Sequence, residues 1–374
     1  MSRRKRSLPA AAADLPALRA RVGTLAENRP AVYRMIDAEG CIIYIGKAKR
    51  LRARLLAYFR APFPEDKAAR ILHAARTIEW DYVPSEFAAH LGELRQIRRF
   101  RPRFNVQFNR DRRAVFVKIS RGPAPRVYVG GLATREDARC YGPFTSAGRA
   151  TEAVRTLNDL LGLRDCERHI PIRYAGQEDL FGDGRQALCM RQELGLCAGP
   201  CAALVTELDY RRRLETAAAF LEGRTIQPID KVVHLMQAAA AAAEFEVAAR
   251  WREKFEQLEW LLAAVSRARA AVGLLSFVYR EPGAYGDDWF YLLRHGVVRA
   301  GLSAQATPLE RAAFDAEVAR AAAEPELAPG PLPLDRIDEI LLMMSWFRKH
   351  PEALRRTMRY AEWAPAAADR SGVA

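Results

Sequence analysis

The stretch Ala31–Arg60, AVYRMIDAEGCIIYIGKAKRLRARLLAYFR, decides how the rest of the chain is read. It reads as strand, turn, strand, turn, helix. Val32 and Tyr33 lie in a first strand, and Asp37-Ala38-Glu39-Gly40 makes a turn in which Gly40 can take the positive φ of a tight hairpin. Cys41 to Ile45 is a β-branched second strand, ended by Gly46. From Lys47 the spacing becomes helical, with Leu51, Leu55, Leu56 and Phe59 on one apolar face. Six basic residues (Lys47, Lys49, Arg50, Arg52, Arg54, Arg60) and no acid stand between Lys47 and Arg60. A hairpin register can bring the phenols of Tyr33 and Tyr44 together, and Arg54 and Tyr58, four apart, share a helix face. Two phenols, a lysine past a strand end and an arginine can together surround a phosphodiester. Composition alone favours a plainer reading, a solvated basic helix with half-buried tyrosines.

Working outward, the chain of 374 residues is long enough for two or three domains. Its formal net charge of +14 points to a polyanionic partner, of which nucleic acid is the commonest. Six cysteines are too few and too unevenly spaced for a secreted disulfide scaffold of this size. No apolar run is long enough to span a membrane. Met1 to Ala20 is basic and then Ala-rich, but Pro9, Asp14 and Pro16 interrupt any signal-peptide core. Residues 1–24 are therefore expected to be a basic flexible tail on a cytoplasmic protein without membrane contact.

After a proline-broken loop at 61–66, the pattern gives a short helix at 67–76 and a strand at 77–83. A helix then runs from Pro84-Ser85 to about Phe100, with Phe87, Leu91, Leu94 and Ile97 as its buried stripe. Glu86 and Glu93, seven apart, fall away from that stripe. Gly92 inside the helix costs about 1 kcal/mol relative to alanine. From Arg95 to Arg113 eight arginines (95, 98, 99, 101, 103, 110, 112, 113) stand against the single acid Asp111, with Phe100, Phe104 and Phe108 interleaved. Such a strip suits a phosphate backbone, although aromatics at this spacing belong more often to a core.

Further on, strands at 115–120 and 126–129 and a helix at about 146–161 suggest a small α+β linker at 111–165. Cys166, Cys189, Cys197 and Cys201 then cluster within 166–202. Four cysteines in a cytosolic chain suggest a tetrathiolate metal site, either structural zinc or a [4Fe–4S] cluster. The absence of paired two-residue gaps favours iron–sulfur. Cys41 and Cys140 read as core. Helices at 202–223, 229–243 and 245–267 form a helical region over 203–270. Residues 271–374 hold two strands (274–279 and 289–294), a proline-rich stretch at 324–334 and a terminal helix at 335–359.

The order Val32-Tyr33, Tyr44-Ile45-Gly46-Lys47, Arg54 and Tyr58 resembles the GIY-YIG nuclease family, above all the amino-terminal half of UvrC and its shorter relative Cho. The glycine of the first motif is Ala31 here. The likeness extends to Arg101-Pro102-Arg103-Phe104-Asn105, to the four cysteines, and to Glu244–Arg252, which resembles the UVR motif that docks on UvrB. It covers roughly residues 20 to 270. Neither an RNase-H-like second nuclease nor a helix-hairpin-helix pair is found in the remainder.

The resemblance implies an α+β chain: a small mixed α/β nuclease domain at 25–110, the cysteine-rich segment, the UVR-like hairpin and a small carboxy-terminal α+β region of unknown role. It implies Glu93 as the ligand of one Mg²⁺ or Mn²⁺, with Glu86 as the in-sequence rival. Tyr33, Tyr44, Lys47, Arg54, Tyr58 and Asn105 would surround the scissile phosphate. Either Tyr33 or Tyr44 is the base, its phenol pKa near 10 brought down by Lys47 or the metal. Lys49, Arg50, Arg101 and Arg103 would contact DNA, and Phe245, Glu246, Ala249 and Arg252 a UvrB-like protein. The implied activity is a metal-dependent endonuclease acting on damaged double-stranded DNA, making the incision 3′ of a lesion. The alternatives are a non-cutting adaptor that binds UvrB or DNA, and a redox or iron-sensing module built on the cysteines.

Overall fold

The computed structural model describes residues 14–105, 114–131, 137–167, 169–177, 189–328 and 330–363. These pack as two compact units, one holding the amino-terminal part to residue 110 together with 275–324 and 338–374, the other holding 111–274 and 325–337.

The first unit begins with helix α1 (Leu15–Leu25), where a flexible tail was expected. Asp14 caps it by accepting from the Ala17 amide at 3.0 Å, Pro16 stands in its first turn, and Leu18 and Val22 are buried one turn apart. The proline that interrupts a signal sequence is thus a helix-start residue. Strands β1 (Ala31–Ile36) and β2 (Ile42–Ala48) form the expected hairpin, with Gly40 at φ 78°. Helices α2 (Leu51–Tyr58) and α3 (Lys67–Ala74) follow, then β3 (Thr77–Tyr82) and α4 (Glu86–Phe100). The sheet is antiparallel with order β2-β1-β3, so β2 is an edge strand.

β2 continues past Gly46 through Lys47 to Ala48, a correction to the expected strand end. Gly46 pairs with Tyr33 and Lys47 with Val32 in the ladder. Register assigns the faces. Tyr33, Met35, Tyr44 and Gly46 share one face, which packs on α1, α2 and α3. Val32 lies on the other, against Ile97 of α4. Ser85 caps α4 by accepting from the Ala88 amide, Arg98 and Arg99 sit in its last turn, and Arg101 at φ 46° ends it. Gly92 has a reason here. A Cβ there would come within 3.1 Å of Val32 Cγ2, so the helix lies close on the sheet.

The second unit pairs a three-stranded antiparallel sheet, β4 (Val115–Ser120), β5 (Val127–Gly130) and β6 (Asp137–Phe144) in the order β5-β4-β6, with helices. These are α5 (Ala147–Leu161), the short α6 (Met190–Glu193), α7 (Glu207–Leu221), α8 (Gln227–Ala241) and α9 (Phe245–Gly273). The segments expected as linker and helical region share one core, in which Val117, Tyr141, Leu157, Tyr210, Phe220 and Leu258 are buried together.

The chain then returns to the first unit with β7 (Phe277–Glu281), β8 (Trp289–Arg294), β9 (Val297–Ser303), α10 (Pro308–Ala323), α11 (Ile337–Lys349) and β10 (Thr357–Met358). The four strands form an antiparallel sheet of order β10-β7-β8-β9. Phe87 and Leu91 of α4 are buried in its core beside Tyr279, Tyr291, Met343 and Trp346. Helix α4 is therefore shared, one side on the amino-terminal sheet and one on the carboxy-terminal sheet. Arg95 on α4 bonds the Glu339 carboxylate at 3.1 Å and the Val298 carbonyl at 2.7 Å, and Arg98 pairs with Asp338 at 3.2 Å. Among the described residues no helix is long and apolar enough to cross a membrane.

Candidate active site

Tyr33 lies fully buried on β1, its phenol directly over Gly46 of the neighbouring strand. A Cβ at position 46 would overlap its Cζ and Oη. The glycine thus clears the space that lets the phenol reach across the strand. Tyr33 Oη lies 2.8 Å from Tyr58 Oη, with Tyr58 delivered by the last turn of α2. Tyr44 completes a triangle, its ring centroid 6.2 Å from Tyr33 and 6.3 Å from Tyr58. Tyr33 and Tyr58 are buried, while Tyr44 is partly open to solvent. The Arg54 guanidinium stands 5.3 Å from the Tyr58 ring centroid.

Burial above all, then repulsion between neighbouring phenolates, holds the three phenols above their ordinary range, and Arg54 draws them only part of the way back. Lys47 is expected to bring a phenol's pKa down, yet all three phenols lie above their ordinary range. The Lys47 ammonium forms an ion pair with Glu93, Nζ to Oε2 at 2.5 Å. Glu93 is 6% exposed on α4. Desolvation raises its pKa, and Lys47 and then Arg54 oppose that rise. Glu93 in turn raises Tyr44, so carboxylate and phenols feel one another although Lys47 and Tyr33 lie on opposite faces of the sheet. The two sets meet around β2 because β2 is the sheet edge.

Asn105 reaches the site through the backbone. Its Oδ1 accepts from the Ile45 amide and its Nδ2 donates to the Ile45 carbonyl, both at 2.7 Å. The side chain thus completes the outer edge of β2, as a further strand would. Glu86 pairs with Lys49 at 3.3 Å and lies 4.0 Å from His90; it is Glu93 whose charge acts on the phenol cluster. His90 was missed in the sequence. It lies one helical turn before Glu93, with its ring 5.6 Å from Trp346, and burial plus the Lys47 charge lower its pKa to about 4. The signal was its spacing of three from Glu93.

Of the expected DNA contacts, Arg50 and Arg101 are exposed at the start of α2 and the end of α4. Lys49 is exposed beside Glu86, and Arg103 pairs with Asp37 at 3.4 Å. Arg95 and Arg98, counted in the basic strip, are instead engaged with Glu339 and Asp338. Arg110, Arg112, Arg113 and Phe108 lie outside the described residues. Cys41, expected in the core, is exposed because it precedes the first residue of β2, while Cys140 is buried. Cys166, Cys197 and Cys201 are half-buried and Cys189 exposed. Burial and mutual repulsion raise the Cys197 and Cys201 thiols. Among the described residues no three His, Cys, Asp or Glu side chains are arranged to hold a metal ion, so this geometry lends the iron–sulfur or zinc expectation no support. Phe245, Glu246, Ala249 and Arg252 are all exposed near the start of α9.

Residues 29–106 match the UvrC-like GIY-YIG domain, and residues 114–220 match the middle domain of the UvrC/Cho excinuclease. The chain belongs to the UvrC/Cho family. It is 33% identical over 297 residues to the UvrABC system protein C of Moorella thermoacetica, covering 74% of this chain and 46% of that one. With the protein of the same name from Alcanivorax borkumensis it shares 32% identity over 233 residues, 62% of this chain and 37% of the relative. The chain thus spans less than half the length of these UvrC relatives. Among solved structures, the magnesium-bound GIY-YIG amino-terminal endonuclease domain of UvrC from Thermotoga maritima is 37% identical. It covers 24% of this chain and 97% of that domain, with a TM-score of 0.22.

Proposed function

We propose that this protein is a metal-dependent endonuclease of nucleotide excision repair that hydrolyses one phosphodiester of damaged double-stranded DNA. We further infer the cut to be the 3′ incision, made on DNA held by a UvrB-like partner, as the UvrC/Cho relationship suggests. The observation that carries the reading is the grouping of Tyr33, Tyr44, Tyr58 and Arg54 beside the buried Lys47–Glu93 pair at one sheet edge.

Glu93 suits a single hard divalent cation, Mg²⁺ or Mn²⁺. It is a buried carboxylate already stabilised by one cationic neighbour, and such ions accept one carboxylate while keeping several waters. When bound, the ion supplies Lewis acidity at the phosphate and the departing 3′-oxygen. The chain's own residues do the rest. Tyr44, the accessible phenol, orients the attacking water and takes its proton; burial holds it above its ordinary range and Arg54 offsets only part of that, so a bound cation would have to supply the rest of the lowering. Tyr33 and Tyr58, joined hydroxyl to hydroxyl, fix the position of Tyr44. Arg54 meets the charge that develops on the phosphate. Asn105 holds the edge strand in register. The exposed stripe Phe245, Glu246, Ala249 and Arg252 is the surface offered to the UvrB-like partner.

An incision assay on a singly labelled, damaged duplex, with Mg²⁺ or Mn²⁺ and with or without UvrA and UvrB, tests the reading. A single nick 3′ of the lesion that needs UvrB and disappears in Glu93→Gln is expected. Undiminished cutting by Glu93→Gln sinks the assignment of the site. No cutting by the wild-type protein, with DNA or UvrB still bound, supports the adaptor in its place.

A further inference from the structure

The second unit holds a basic cleft to which the incision chemistry assigns no role. The β4–β5 connection, Ser120-Arg121-Gly122-Pro123-Ala124-Pro125-Arg126, turns through Gly122 at φ 121°. With Arg164 and the residues His169 to Ile172 it lines a cleft of about 280 Å³. That is slightly below the roughly 300–1,000 Å³ of clefts that enclose a drug-sized ligand, and ample for one phosphate group.

Three guanidinium groups line it, Arg121, Arg126 and Arg164. Their partners are neutral. Arg121 Nε donates to the Asp137 carbonyl at 3.1 Å, and Arg126 Nη1 to the Cys166 carbonyl at 2.7 Å. Arg164, only 4% exposed, donates through Nε to Cys166 Sγ at 3.2 Å and through Nη2 to backbone carbonyls. Among the described residues none of the three is ion-paired with a carboxylate. Of the acids that follow Arg164, Asp165 pairs with Arg191 at 2.9 Å and Glu167 with His169 at 3.1 Å. The Nε of Arg126 is buried with no hydrogen-bond partner among the described residues.

Carbonyls satisfy donors but leave positive charge uncompensated, and burying such charge is costly without an anion. Planar guanidinium forks match the oxygens of a phosphate better than those of any other common ligand.

We propose that this cleft binds a phosphate group, either a backbone phosphate of a DNA duplex or free phosphate. It would be a contact point separate from the incision site. This inference does not depend on the nuclease reading, because binding is measured without cleavage.

The test uses the full chain in EDTA, an undamaged fluorescent duplex read by anisotropy over a salt series, and inorganic phosphate read by calorimetry. Wild type is compared with Arg121→Gln, Arg126→Gln, the double variant, and the charge-preserving Arg121→Lys/Arg126→Lys. Each lost phosphate contact flattens the slope of log K against log salt by about 0.9. If the phosphate belongs to DNA, the double Gln variant loses roughly one unit of slope on every sequence, and the Lys variant restores it. If it is free phosphate, the slope is unchanged, but calorimetry shows binding that the Gln substitutions abolish. Unchanged duplex slopes together with no phosphate binding by wild type overturn the proposal. Arg121 is exposed, so Arg121→Gln keeps the fold and the comparison with wild type holds even if Arg126→Gln unfolds.

Discussion

Replacing Gly46 with alanine adds one methyl group at the most crowded point of the candidate site. The new Cβ would overlap Cζ and Oη of Tyr33 and lie 3.0 Å from its Cε1, against the roughly 3.5–4.0 Å of an unstrained carbon contact. Tyr33 has no exposed surface and is held between β2 and β3, pairing with Gly46 on one side and Trp80 on the other. Its ring can escape only by moving roughly 1 Å. Small-to-large changes in packed cores cost about 1–3 kcal/mol, and losing the Tyr33–Tyr58 hydrogen bond adds about 0.5–1.5 kcal/mol. A displacement of that size also lowers incision about a hundredfold. Urea denaturation and single-turnover incision, run beside Tyr33→Phe, separate the two parts, since Tyr33→Phe removes the hydrogen bond without the clash. Gly46→Ala must therefore be the less stable of the two. Wild-type stability and rate in Gly46→Ala would refute the claim that the glycine exists to clear the phenol.

Because desolvation raises the Glu93 pKa and Lys47 opposes the rise, Glu93 in the metal-free protein titrates above the usual carboxylate range. In Lys47→Met it titrates at still higher pH, which an NMR titration of the Glu93 carboxyl in EDTA reads directly. Asn105→Ala removes two hydrogen bonds from the Ile45 peptide, costing about 1–3 kcal/mol, and lowers the incision rate while duplex affinity stays unchanged. An equal loss of affinity would mean that Asn105 touches DNA itself. Arg101→Ala flattens the salt dependence of duplex binding by about 0.9. Arg98→Ala, whose partner is Asp338, leaves that slope alone and costs no more than about 1 kcal/mol of stability.

The local pattern of the hairpin and first helices was legible because alternation and turn chemistry act over a few residues. The phenols, Arg54 and Glu93 came from the order of motifs, and the fold brings them to one sheet edge. What escaped the sequence depends on contacts between distant segments. Gly46 reads as a breaker by propensity, yet it sits inside β2 because the Tyr33 phenol occupies the space a side chain would need. Arg95 and Arg98 look like members of a phosphate-tracking strip until Asp338 and Glu339, far along the chain, claim them. Residues 15–25 are too short a stretch to declare a helix without the core that Leu18 and Val22 enter. Gly92 carried a propensity cost whose reason, the closeness of Val32, appears only when α4 meets the sheet.

The sharing of α4 between two sheets also has a temporal side. Arg95 and Glu339 are 244 residues apart in sequence, and the whole second unit is made between them. During synthesis at roughly 5–20 residues per second, Phe87 and Leu91 must wait for β7 to β9 and α11 before their side of the helix is covered. The helix that bears Glu93 therefore reaches its final packing only when residues through α11 have left the ribosome, so a chain terminated before α11 exposes an apolar face next to an unfinished site.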